Sequence, residues 1–129
     1  MNFNSNKAIY IQIADLICEK ILIGVFKADE RIPSVRELAV DLEVNPNTVM
    51  RTYELLQDLD IISNKRGVGF FVNNNGIQNA NAFFKKAFLE QELPNLFKNM
   101  TILNIDLKEI EKLYQQYCLN SINHPHEKK

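Results

Sequence analysis

Near the start of the chain, apolar residues fall at Ile9, Ile13, Leu16, Ile17, Cys18 and Ile21. Spacings of three and four place them on one stripe, which predicts an amphipathic helix from about Lys7 to Gly24, with Gly24 suited to its C-terminal end. The period then breaks over "VFKADERIP", which reads as a loop or short extended link closed by Pro33. Ser34 and Glu37 form a capping box, so a second, short helix starts there. It carries Val35, Leu38, Ala39 and Leu42 on one stripe and ends near Glu43. After it stands "VNPNTV", polar and proline-bearing. Asn45 is a good N-cap, and Pro46 fits the first helical position, where a missing N–H costs nothing. A third helix is predicted from Pro46 to about Leu59, with Val49, Tyr53 and Leu56 facing the core.

The same periodicity puts Asn47, Thr48 and Arg51 together on another face. Two helices joined by a short turn, the second with a polar N-terminal face, form the helix-turn-helix pattern. "IISNKRGVGFFVN" then alternates as a hairpin: Ile61 to Asn64, a turn containing Gly67 and Gly69, and Phe70 to Asn73. A hairpin directly after the second helix makes this a winged helix-turn-helix. The stretch Asn73 to Gly76 is a break and is expected to divide two domains, 1–75 and 76–129. The second is predicted helical, with Pro94 forcing a kink or a division in its first part. Asp106 is placed to cap a last helix bearing Leu107, Ile110, Leu113, Tyr114 and Tyr117. A disordered tail is expected from about residue 121. The fold class is therefore mostly α with a small β-hairpin, a winged helix-turn-helix followed by a helical segment.

That segment is too apolar for its length. Phe83, Phe84, Phe88, Leu93, Phe97, Leu113, Tyr114 and Tyr117 cannot all be hidden within two or three helices, so they are expected to pack against a second copy of the chain. A core or a ligand pocket is the alternative use of the Phe83, Phe84 and Phe88 group.

Composition narrows the function by exclusion. At 129 residues, with 46% apolar and 24% charged positions, the chain suits one ordinary folded domain or a small domain with an appendage. No stretch approaches the roughly 18 unbroken apolar residues of a membrane span. The start of the chain mixes Asp15, Glu19 and Lys20 among apolar positions, unlike a secretory signal, so the cytoplasm is the expected compartment. Cys18 and Cys118 stand far apart and without a CxxC motif, so both are read as reduced thiols. His124 and His126 in "NHPHEKK" do not suffice for a metal site, and no metal or cofactor is expected. No nucleophile with a base, no carboxylate pair in an apolar setting and no phosphate loop argues for an enzyme.

Net charge is −1, which by itself does not favour nucleic acid. The distribution is more permissive. Between Asn45 and Thr52 the only charge is Arg51, and "NKRGVG" is cationic, whereas the acids gather at Asp29, Glu30, Asp41 and Glu43. Side chains of the third helix suit base reading. Asn45 and Asn47 donate and accept at once, as an adenine edge requires. Thr48 suits a phosphate or a thymine methyl, and Arg51 a guanine or the backbone. The helix N-terminus, with unpaired N–H groups and partial positive charge, adds a ready phosphate site. Plainer roles stay open: Asn45 as a cap alone, Thr48 as a solvated residue, Lys65 and Arg66 as a solvated turn.

Taken in register, "YIQI" (Tyr10 to Ile13), Gly24, "IPSVRELA" (Ile32 to Ala39), "VNPNTVMRTYELL" (Val44 to Leu56) and "GVGFFV" (Gly67 to Val72) resemble the N-terminal domain of the GntR family of bacterial transcription regulators. The short helical tail is similar to the YtrA-type branch, which lacks a large effector domain and dimerises through C-terminal helices. The resemblance implies a sequence-specific DNA-binding regulator. Arg36, Asn45, Pro46, Asn47, Thr48 and Arg51 would meet DNA, and a wing bearing Lys65, Arg66 and Gly67 would enter the minor groove. Arg36 paired with Glu37 or Asp41 is the competing role for that residue. The sequence departs from the family at Asp29 and Asp60, where relatives usually have glycine. Both look like left-handed turn positions, which Asp tolerates better than most residues. The expected protein is a homodimeric repressor on a pseudo-palindromic operator, since no second domain is seen that would recruit polymerase. The rival is a winged-helix module that binds protein and no DNA. A small-molecule effector has room in a cleft among Phe83, Phe88 and Tyr114, though nothing in the sequence indicates one.

Overall fold

The computed structural model describes residues 7–123. Six helices and one hairpin follow in order: α1 Ile9–Leu22, α2 Val35–Leu42, α3 Pro46–Asp58, β1 Ile62–Lys65, β2 Gly69–Val72, α4 Gly76–Ala87, α5 Leu93–Leu103 and α6 Leu107–Asn123. Residues 121–123, expected to belong to a disordered tail, are helical, because α6 holds through Asn123. Residues 124–129, with His124 and His126, lie outside the described residues.

The first compact unit is built on the helical stripes the sequence predicts. Ile13, Ile17 and Ile21 of α1 are buried against Leu38 and Ala39 of α2 and Val49, Tyr53 and Leu56 of α3. Each large aliphatic side chain so buried contributes about 1.5–3 kcal/mol. Both halves of the capping box form: the Ser34 N–H donates to Glu37 Oε1 at 2.8 Å, and the Glu37 N–H donates to Ser34 Oγ at 3.1 Å. The bond from the Ser34 backbone holds the Glu37 carboxyl below its ordinary range. Glu43 ends α2 in the left-handed region at φ 57°.

β1 and β2 pair antiparallel, with Ile62 opposite Val72 and Lys65 opposite Gly69. The link expected before Pro33 does more than connect. Asp29 N–H donates to the Val72 carbonyl at 2.8 Å, Val72 N–H to that of Glu30 at 3.1 Å, and Ile32 N–H to that of Phe70 at 2.9 Å. Residues 29–32 thus lie along the outer edge of β2 and pair with it through an isolated antiparallel bridge, Arg31 opposite Phe71, which covers an edge that would otherwise be open. Asp29 and Asp60 sit at φ 65° and 59°, in the left-handed conformation that glycine adopts most easily.

Two compact units divide between Phe84 and Lys85, and the Asn73–Gly76 stretch is bound into the first. Asn73 Nδ2 and Asn79 Nδ2 both donate to the Asp60 carbonyl at 2.9 Å, and Ser63 Oγ bonds Asn73 Oδ1. Gly76 is buried, and a Cβ there would stand 2.6 Å from the Ile61 carbonyl oxygen. Ala80 is fully buried, and Phe83 and Phe84 pack against the same core.

The second unit begins near the end of α4, continues through a π-helical turn at Phe88–Glu92 and runs into α5, with Pro94 in the first turn. Pro94 has no N–H for the carbonyl of residue 90, and its ring would crowd that oxygen in a regular helix. The wider turn accommodates it. Asp106 caps α6, its Oδ1 accepting from the Glu109 N–H at 2.9 Å.

Gly76→Ala should destabilise the first unit by about 1–3 kcal/mol, since the Ile61 carbonyl is backbone and has nowhere to retreat. Chemical denaturation followed by circular dichroism measures it, with Gln78→Ala on the exposed side of the same helix as a near-neutral reference.

Candidate nucleic-acid interface

Burying Val49, Tyr53 and Leu56 turns the opposite side of α3 to solvent. Asn45, Asn47 and Arg51 are exposed and Thr48 is half-buried. The grouping predicted by the period holds: Asn47, Thr48 and Arg51 line one open cavity of about 380 Å³, shared with Ala8, Ile9 and Tyr10 at the start of α1.

One expectation fails here. The N-terminus of α3 does not offer open N–H groups to a phosphate. Pro46 has none, and Asn45 Oδ1 accepts from the Asn47 N–H at 2.8 Å. The Thr48 and Val49 N–H groups both go to the Asn45 carbonyl, at 3.0 and 3.3 Å. The cap is closed, so contact with a partner must come from side chains. Asn45 takes the capping role weighed for it through its oxygen, and the residue is exposed.

Arg51 lies with its guanidinium 3.9 Å from the centre of the Tyr10 ring. The wing holds its lysine in a similar way, with Lys65 Nζ 4.2 Å from the centre of the Phe71 ring. Such cation–π contacts are worth about 0.5–1 kcal/mol at exposed sites. Arg66 and Gly67 form the exposed tip, where the Val68 N–H closes a turn onto the Lys65 carbonyl at 2.8 Å. Gly67 adopts φ 76°, and nothing lies within 4 Å of a Cβ built there. Glycine is required at the tip by the backbone, not by space.

Arg36 is exposed on the first turn of α2. Among the described residues the one ion pair joins Lys7 to Asp15, so the pairing of Arg36 with Glu37 or Asp41 does not form.

Two residues of this surface were not singled out in the sequence. Arg31 extends from the bridge to Phe71 over β2, its Nε 2.7 Å from where a Cβ of Gly69 would stand. Nothing local in the sequence marks it, since its place depends on β2. Tyr10 was visible only within the "YIQI" motif; its meeting with Arg51 depends on how α1 crosses α3. Cys18 is buried beneath this surface, and burial, with the nearby Asp15 charge, pushes its thiol up to about 12, which leaves it protonated and inert.

The expected interface residues divide between the units. Phe83 and Phe84 rest on the first unit's core. In the second unit Phe88, Phe97, Leu113, Tyr114 and Tyr117 are exposed and Leu93 is half-buried. A separate cavity of about 320 Å³ there is lined by Phe97, Met100, Thr101, Asn104, Ile105 and Asp106, not by the residues expected to form an effector cleft. No helix among the described residues is long and apolar enough to cross a membrane.

Comparison with known proteins gives the family. The family described as "Bacterial regulatory proteins, gntR family" matches residues 9–72, from the first turn of α1 to the end of the wing. The HTH-type transcriptional repressor YtrA of Bacillus subtilis (strain 168) is 33% identical over 115 residues, spanning 86% of this chain and 82% of that one. The chain belongs to the GntR family. It is similar also to the uncharacterized HTH-type transcriptional regulator YhcF of the same organism, 43% identical over 70 residues. That match spans 54% of this chain and only 58% of the relative's length. Among solved structures, a putative GntR-family transcriptional regulator from Bacteroides thetaiotaomicron aligns with a TM-score of 0.67 and 46% identity. It covers 88% of this chain and 99% of its own. As a GntR protein with a short helical tail, the chain is a DNA-binding transcription regulator.

Lys65→Ala should weaken binding to all DNA sequences alike and lower the slope of log affinity against log salt by about 1. Titrations at several salt concentrations, on two unrelated duplexes, measure it. A loss confined to one sequence would contradict a phosphate role for Lys65.

Proposed function

We propose that this protein is a homodimeric repressor that binds a pseudo-palindromic operator in the cytoplasm, one α3 in the major groove of each half-site, and that it has no catalytic role. The observation that carries the reading is the face of Asn47, Thr48 and Arg51. It lies on a helix whose N-terminal N–H groups are already satisfied, with Asn47 and Arg51 exposed and Thr48 half-buried, so it presents polar side chains to a partner. The wing supplies Lys65, Arg66 and Gly67, with Arg36 and Arg31 as further exposed cations that no ion pair neutralises among the described residues. These local charges offset the near-neutral total of the chain.

Dimerisation is supported by α5 and α6, where Phe97, Leu113, Tyr114 and Tyr117 are each more than half exposed. Leaving several such side chains in water forgoes about 1.5–3 kcal/mol for each one that a second copy would bury. Two-fold symmetry then sets the half-sites one helical turn, about 10 base pairs, or a multiple of it, apart. Repression accords with the similarity to the transcriptional repressor YtrA.

Selection from random-sequence duplexes at two salt concentrations tests the reading. A two-fold symmetric sequence should be enriched, more strongly at the lower salt. No enrichment at either would favour a winged helix directed to protein. On the selected duplex, Arg51→Ala should cost about 1–3 kcal/mol and relax the preference at one position in each half-site.

Ending the chain after Phe84 should give a folded monomer by sedimentation, with weak affinity for the selected duplex. A dimer of that fragment would remove the C-terminal helices from the interface.

A further inference from the structure

α1 begins without a side-chain cap: Ala8 stands at its N-cap position and has no side chain to bond there. Helix ends of this kind fray unless tertiary contacts hold them. This one is held. Gln12 Nε2 donates to the Lys7 carbonyl at 2.9 Å, and Lys7 reaches Asp15 at 2.8 Å. Above all, the Thr52 hydroxyl donates to the Tyr10 carbonyl at 2.7 Å. Thr52 is wholly buried and lies next to Arg51 in sequence. A hydroxyl placed there, where an apolar residue of the same shape would fit the core, fixes the backbone of Tyr10 against α3.

The Tyr10 ring then lies beneath the Arg51 guanidinium, at 3.9 Å, and forms one wall of the cavity that Asn47 and Thr48 also line. An exposed arginine on a helix surface otherwise samples many rotamers, and ordering it on binding is costly. Stacking on a ring removes most of that freedom before DNA arrives, and the planar group keeps its edge donors for a base. Tyr10 is only half-buried, so the ring is not itself a core residue.

We propose that Tyr10 is a positioning residue for base reading: it holds Arg51 in its reading geometry in the free protein, and Thr52 holds Tyr10. The inference rests on the DNA-reading role proposed above, and it extends the readout surface from α3 to the first turn of α1.

Two measurements on the full chain test it. Without DNA, the δ-methylene protons of Arg51 should be shifted upfield by the ring current of Tyr10 in NMR spectra. Tyr10→Leu should abolish the shift, and Tyr10→Phe should restore it. On the selected duplex, Tyr10→Leu should weaken affinity about two- to fivefold. It should also relax preference at the same base pair as Arg51→Ala, and it should cost nothing more when combined with that change. Tyr10→Phe, which keeps the ring, should recover most of the loss. Unshifted Arg51 protons in the wild type, or losses that add in the double variant, would overturn the positioning role. Wild-type protein that selects no duplex would instead overturn the DNA-reading role, and that outcome is seen before any variant is made.

Discussion

Tyr53 is wholly buried, yet it carries a hydroxyl, and the direction that hydroxyl takes organises the first unit. It donates to the Pro33 carbonyl at 2.6 Å, while the ring meets Phe70 edge-on at 4.8 Å between centres. Burial pushes the phenol well above its ordinary range, so it stays a donor at any physiological pH. One side chain of α3 thus ties together the link that leads into α2 and the strand β2 of the wing. With the Tyr53 face committed inward, the 3.6-residue period leaves Asn47, Thr48 and Arg51 no direction but outward. Recognition helix and wing are set by the same contact, and their relative placement is a property of the core.

The outward face is then refined by two aromatic supports, Tyr10 under Arg51 and Phe71 under Lys65. In each case a long, flexible cation is placed by a ring on a neighbouring element. This gives a protein of net charge −1 a way to act on a polyanion. It holds a few cations where they are needed, without a broad basic surface. Closure of the α3 N-terminus by Asn45 serves the same end. A helix tip that has no open N–H groups presents side chains, which carry sequence information, in place of backbone groups, which favour phosphates.

Much of this was legible in the sequence, because it rests on local chemistry. The Ser34–Glu37 box, the Asn45–Pro46 start and the cap at Asp106 each follow from the residue and its immediate neighbours, and the left-handed turns at Asp29 and Asp60 from the glycines that the resemblance places there. What was not legible depends on distant parts of the chain. The bridge of Arg31 to Phe71 needs β2 beside it, and the Tyr10 support needs α1 to cross α3. The asparagine-rich stretch looked like a linker by composition. It is held in place because Asn73 and Asn79 converge on the one carbonyl exposed by the turn at Asp60. Closure of the α3 N-terminus depends on bonds to the Asn45 side chain and carbonyl that residue type alone does not fix.

Methylation interference on the selected duplex tests the central claim most directly, namely that α3 reads base edges in the major groove. Methylating guanine N7 blocks an atom that only that groove presents, whereas methylating adenine N3 blocks one in the minor groove. The account predicts interference at N7 in two patches about one helical turn apart or a multiple of it, with N3 interference beside them where the wing lies. Binding indifferent to N7 methylation throughout the site would contradict it, and would leave α3 as a helix that faces DNA without reading it.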